Sequence, residues 1–152
     1  MIQRIQSLWL FLAAVALVAV LYVPVGKFVM PTGMYECTAF RMVQIGDVPP
    51  LNLPVNFIGI LSSLAAFFSI LAILHFKKRD RQLRWVWVAF IFKAILAAGM
   101  VSLFVYFKYI LDSWVGYGPA ILMPFLGLIF DYLAIKGIKK DDALVKSLDR
   151  IR

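Results

Sequence analysis

The sequence predicts an all-α membrane protein, a four-transmembrane-helix bundle with a candidate short β-hairpin in its first extracytoplasmic loop. Three observations point there. Hydrophobic residues make up 63% of the chain, against roughly 45 to 50% in a soluble domain, and the mean hydropathy is +0.89. Charged residues are only 16% and are gathered, crowding 77–84 and 136–152 and leaving long stretches with none. Between these clusters run four apolar segments of about 20 residues, the length that crosses a hydrocarbon core of about 30 Å. Four such spans and their connections use most of the 152 residues, so residues 1–152 read as a single membrane domain with no room for a soluble catalytic one.

The first span is expected at about 7–26, closed by Pro24, Gly26 and Lys27. Although Arg4 and small residues such as Ala14 and Ala16 resemble a signal peptide, the apolar run continues through Val23 without a polar cleavage region, so it reads as a retained span. An outer loop, 27–53, follows. The second span, 54–76, opens on Pro54, which suits a first helical turn because its missing N–H has no partner there. A cytoplasmic loop, 77–84, leads into the third span, 85–109, and Tyr117-Gly118-Pro119 announces the fourth, 118–136. The cytoplasmic tail is 137–152.

Orientation follows from basic residues near the span ends. With both termini in the cytoplasm, twelve lie inside (Arg4, five between Lys77 and Arg84, six from Lys136 onward), three lie outside (Lys27, Arg41, Lys108), and Lys93 sits within a span. The net charge of +8 therefore reads as topology and as attraction to anionic lipid headgroups at the cytoplasmic face. These short juxtamembrane segments carry no nucleic-acid-binding module. Trp9, Trp85, Trp87 and Tyr132 fall toward the inner interface and Tyr22, Tyr106, Tyr109, Trp114 and Tyr117 toward the outer, as aromatic belts do.

The outer loop is longer than a helix connection needs. Residues 34–38 and 40–45 are rich in aromatic or branched side chains and are bounded by Gly33, Gly46 and Pro49-Pro50. Two short strands and an irregular surface loop fit this segment equally. In the tail, Leu144, Leu148 and Ile151 recur at helical spacing on one face. The tail either continues the fourth helix or lies on the membrane as an amphipathic segment, and Leu144, Val145, Ser147, Asp149 and Arg150 are its candidate interaction residues.

The opening Met1-Ile2-Gln3-Arg4-Ile5-Gln6-Ser7 and the ending, with Asp141-Asp142, Leu144-Val145, Ser147 and Asp149-Arg150 in order, together resemble an uncharacterised, domain-of-unknown-function family of small bacterial four-helix integral membrane proteins. The resemblance covers essentially the whole chain, although between the end motifs it is one of hydropathy only. It implies the bacterial cytoplasmic (inner) membrane, and it supplies no catalytic residues to carry over.

Several activities are excluded by composition. A single cysteine, Cys37, forms no intrachain disulfide and no zinc or iron–sulfur site, which removes the small quinone-coupled thiol oxidases. One histidine, His75, is too few for a haem or di-metal site within one chain. No nucleophile with an activating base and no carboxylate pair at a cleft is visible, so no enzyme and no cofactor are expected. Ser62, Ser63, Ser69 and Ser102 lie in spans beside alanines, and Ala94, Ala98 and Ser102 at spacing four read as a helix-packing stripe.

Two function classes remain. The favoured one is an accessory or structural subunit docking onto a larger membrane complex, with a membrane-protein partner or a homo-oligomer as the candidate protein contacts. The alternative is a small oligomeric transporter or channel, with Lys93, Asp131, Asn56 and His75 as its polar candidates. Lys93 and Asp131 each lie eight residues from the cytoplasmic end of their helices (Trp85 and Lys139), about 12 Å deep at 1.5 Å per residue. An isolated charge at such a depth costs roughly 2.5 to 3.5 kcal/mol on insertion scales. Ala97 and Gly127, one turn from each, would let the helices approach closely. The expected arrangement is a buried Lys93–Asp131 ion pair fixing the register of the third and fourth helices. The competing arrangement has Lys93 reaching the headgroups while Asp131 bonds Ser102 or Tyr132 of a neighbouring subunit.

Overall fold

The computed structural model describes residues 3–47, 49–51, 53–76 and 78–149, with side chains from Ile5 to Val145. An apolar solvent offers the backbone no hydrogen bonds, so an apolar chain satisfies its N–H and C=O groups internally, as a helix does. Four helices do this: α1 (Gln3–Tyr22), α2 (Phe57–Leu74), α3 (Arg79–Tyr109) and α4 (Met123–Asp149). All four are long and apolar enough to cross a membrane, the build of a multi-pass membrane protein. Each packs against its neighbours in the sequence, and α1 closes the ring against α4.

Small residues floor the interior, among them Ala13, Ala65, Ala72, Ala89 and Ala134, while Ile5, Phe11, Phe67, Ile91 and Ile129 point outward. That inversion suits lipid, where close approach of backbones rather than apolar burial holds helices together. The expected stripe of Ala94, Ala98 and Ser102 does not make these contacts, since Ala98 and Ser102 are exposed; the buried small face of α3 is offset to Ala89, Lys93 and Ala97.

Several helices run past the bounds expected for the spans. The first helix starts at Gln3, before Ser7, and the third at Arg79 rather than Trp85, so most of the loop 77–84 is helix. The fourth runs on through the tail to Asp149, which leaves no separate amphipathic segment at 137–149. With 31 and 27 residues, α3 and α4 are about 46 and 40 Å long at 1.5 Å per residue, well beyond the hydrocarbon core. Their excess turns carry the charges. Pro54 stands outside α2: Val55 N–H bonds the Leu53 carbonyl at 2.8 Å and Ile58 N–H bonds that of Val55 at 3.0 Å, a turn that precedes the helix proper at Phe57. Before α4, Pro119–Leu122 forms one 3-10 turn.

The far end of the bundle carries a four-stranded antiparallel sheet in the order β3-β2-β1-β4. Three strands, β1 (Gly26–Met30), β2 (Gly33–Cys37) and β3 (Met42–Ile45), lie between α1 and α2; β4 (Trp114–Tyr117) arrives from between α3 and α4. A Pro31-Thr32 turn joins β1 to β2 and ends on Gly33, whose φ of 138° strains any residue with a Cβ. Alternation then directs Phe28, Tyr35 and Cys37 into the bundle and Lys27 and Met34 away from it. Phe28 stacks on Phe107 of α3 at 4.0 Å and lies 5.1 Å from Phe104. The Tyr35 hydroxyl donates to the Pro49 carbonyl at 3.0 Å. Gly118 N–H bonds the Val25 carbonyl at 2.9 Å, pinning β4 beside the end of α1.

Candidate functional site

The interior holds two polar clusters. In the first, α3 presents Lys93 and α4 presents Asp131, both with fully buried side chains, and Lys93 Nζ lies 2.6 Å from Asp131 Oδ2. Lys93 also donates to Ser69 Oγ of α2 at 2.7 Å, while the Ser69 hydroxyl donates to the Ala65 carbonyl at 3.0 Å. Three helices thus meet at one ammonium group. Gly127 makes the approach possible: a Cβ there would stand 2.8 Å from Leu17 Cδ2 and 3.1 Å from Lys93 Cδ, so the lysine stem occupies the space a side chain would need. Asp131 Oδ1 is buried and has no hydrogen-bond partner among the described residues.

Above this cluster, toward the sheet, Leu96, Met100, Phe104 and Phe107 are buried with Phe28 in one apolar core. Below it, toward the charged end, a second core gathers Leu10, Ala72, Val86, Ala134, Ile135 and Ile138. The ion pair is therefore sealed on both sides by hydrocarbon, where an unpaired charge is expensive and a paired one fixes geometry.

The second cluster lies at the charged end. Gln6 of α1 donates through Nε2 to Asp141 Oδ2 of α4 at 2.5 Å, and Arg79 of α3 donates through Nη1 to the Asp141 carbonyl at 2.9 Å. A Cβ at Gly137 would meet Gln6 Cγ at 2.9 Å, so this glycine does for Gln6 what Gly127 does for Lys93. Asp141, expected as part of a polar tail, is instead buried between helices.

The structure brings Lys93 and Asp131 together, and within the chain Ser102 is engaged elsewhere. Ser102 donates to the Ala98 carbonyl at 2.9 Å, and Tyr132 is exposed. In the sequence Ser69 is one of four serines lying in spans beside alanines, and a neutral hydroxyl carries no signal that marks it as a partner of Lys93; it lies five residues inside the end of α2. His75 stays at the charged end, with Nδ1 2.8 Å from the Leu71 carbonyl, and Asn56 stands at the N-cap of α2 without a side-chain capping bond; neither joins the Lys93 cluster. In the tail, Leu144 and Val145 are exposed on α4. The Ser147 and Asp149 side chains and all of Arg150 lie outside the described residues. Cys37, in β2, is fully buried; burial alone pushes its thiol up to about 12, which keeps it protonated and unreactive. No three His, Cys, Asp or Glu side chains among the described residues are grouped to hold a metal ion.

The family profile described as Domain of unknown function (DUF4293) matches residues 2–151. The chain belongs to this family. No curated protein matches the sequence. DUF4293 thus covers all four helices, the sheet and both polar clusters, and its description assigns none of them an activity.

Proposed function

We propose that this DUF4293 protein is a non-enzymatic accessory or structural subunit of the bacterial inner membrane, docking onto a larger membrane complex or onto copies of itself. One observation carries the reading: Lys93, Asp131, Ser69, Gln6 and Asp141, all buried, bond across helices and fix the shape of the bundle. Lys93, Asp131 and Ser69 tie α2, α3 and α4; Gln6 and Asp141 tie α1 to α4, with Arg79 adding α3. A bundle so fixed supports a rigid platform. At the sheet end Met34, Phe40, Ile45, Trp114 and Tyr117 are exposed on or beside the strands, an ordered apolar surface suited to a protein partner. At the other end Leu144 and Val145 offer a second contact on the projecting turns of α4.

We orient the charged end toward the cytoplasm, with both termini there and the sheet outside. Arg79, Arg81, Arg84, Lys136, Lys139 and Lys140 all gather at that end, opposite Lys27, Arg41 and Lys108, and the positive-inside bias favours this sense. Anionic headgroups of the inner leaflet are then the lipid partners.

A second reading, a small oligomeric transporter or channel built on Lys93 and Asp131, is favoured by Asp131 Oδ1, which has no hydrogen-bond partner among the described residues, since such a buried polar atom calls for an explanation. Affinity purification in mild detergent separates the two. Stoichiometric recovery of a larger membrane protein supports the accessory reading, and saturable flux in liposomes containing this protein alone supports the transporter.

A further inference from the structure

We propose that the open groove on α3 lined by Arg81, Arg84, Trp85 and Val88 is a discrete binding site for one anionic phospholipid. The phosphate sits between the two guanidiniums, and an acyl chain lies along Trp85 and Val88. The proposal rests on the helices spanning a bilayer and is independent of any protein partner.

The four residues stand at i, i+3, i+4 and i+7, one face of a helix. Read from the charged end inward, that face passes from two cations to an amphipathic ring to an aliphatic side chain over about 10 Å. A phospholipid has the same order of chemistry, with its anionic head at the interface and its chain below. Arg81 and Arg84 are exposed, and among the described residues neither forms an ion pair. Arg84 donates through Nε to the Asp80 carbonyl at 3.4 Å, which leaves its terminal nitrogens for a ligand. Guanidinium groups hold phosphate oxygens in forked, charge-assisted pairs.

Trp85 is fixed as one wall. Its ring stacks on Phe68 of α2 at 5.6 Å and lies 6.3 Å from the His75 ring, so contact with α2 holds this wall of the groove in place. The placement of the arginines also argues for a ligand. Arg79 and Arg81 occupy the first turn of α3 and Arg84 the second, where the helix dipole favours acids and disfavours cations. An anion bound between Arg81 and Arg84 offsets that cost.

The test uses delipidated protein in mild detergent, titrated with phosphatidylglycerol or with phosphatidylcholine of the same acyl chains, and counts bound lipid by native mass spectrometry. One phosphatidylglycerol should bind about tenfold more tightly than phosphatidylcholine, a difference of about 1.4 kcal/mol. The variant R81Q/R84Q should lose that preference. K136Q/K140Q, which removes the same charge from exposed sites at the same end, should keep it. Val88→Trp, which fills the groove without touching its charge, should weaken binding as R81Q/R84Q does. Equal loss in R81Q/R84Q and K136Q/K140Q would reduce the site to diffuse attraction and overturn the proposal, as would unimpaired binding in Val88→Trp. Displacement of the lipid by millimolar inorganic phosphate would reassign the groove to free phosphate and overturn it too.

Discussion

Removing one charge from the Lys93–Asp131 pair should cost far more than removing both. Lys93→Met keeps the length of the stem that fills the space beside Gly127 but leaves the Asp131 carboxylate, whose Oδ1 already lacks a partner among the described residues, with no cation. Asp131→Leu keeps the volume and leaves the ammonium with only Ser69 Oγ. Each single change strands a buried charge, at about 3 kcal/mol or more. If the residues acted independently, Lys93→Met/Asp131→Leu would lose about 6 kcal/mol. Because the double change leaves an apolar interior, and Ser69 keeps its bond to the Ala65 carbonyl, the expected loss is less than about 2 kcal/mol. Unfolding by dodecyl sulfate in mixed micelles, followed by circular dichroism, measures all four proteins in one cycle. Additive losses would refute the reasoning.

Two glycines should answer differently to the same substitution. A Cβ at Gly118 would stand 2.3 Å from the Pro24 carbonyl oxygen and 2.8 Å from Val25 backbone, so Gly118→Ala should break the junction of β4 with α1 and cost about 2 kcal/mol or more. At Gly59 the obstacle is the ring of Phe40, 50% exposed and free to swing outward, so Gly59→Ala should fall within about 1 kcal/mol of the parent; the same unfolding assay ranks them, and the reverse order contradicts the account. Cys37 should resist maleimide at pH 8 in the folded protein and react once it is denatured. Because burial raises its thiol from 9.0 to about 12, the unfolded chain releases that proton first. This contribution is therefore intact below pH 9.0 and lost as pH rises toward 12, and a flat stability profile over that window would contradict it. Since Cys37 is buried, cysteines placed at Asp80, Lys140 and Gln44 report topology against a silent background: in intact cells an impermeant thiol reagent should label only the third, and the opposite pattern would invert the orientation.

Hydropathy made the four helices legible because transfer into lipid is a local property of a segment. It does not fix their ends, since a helix does not stop where an apolar run does: α3 begins at Arg79, ahead of the apolar run from Trp85, while the continuation of α4 to Asp149 is one of the two arrangements that the tail pattern fits. The sheet was legible only in part. Residues 34–38 and 40–45 carry strand-forming side chains, and most of them lie in β2 and β3. β1 was absorbed into the end of the first span and the start of its loop, and β4 was not anticipated. Gly26 pairs with Tyr117 and Phe28 with Val115, partners far apart in the chain that no local pattern announces. Charge drew attention to Lys93 and Asp131. Neutral Ser69 and Gln6 carry no such flag, and each becomes informative only beside the group it bonds.

In the proposed function the buried charges serve the architecture of a docking subunit, not transport. The most direct measurement is affinity purification in mild detergent of the parent and of Lys93→Met/Asp131→Leu, each then reconstituted alone into liposomes for flux. The account predicts the same larger membrane protein at the same stoichiometry with both chains, and no saturable flux from either. Recovery of the parent alone, with a saturable flux that the double change abolishes, would contradict it.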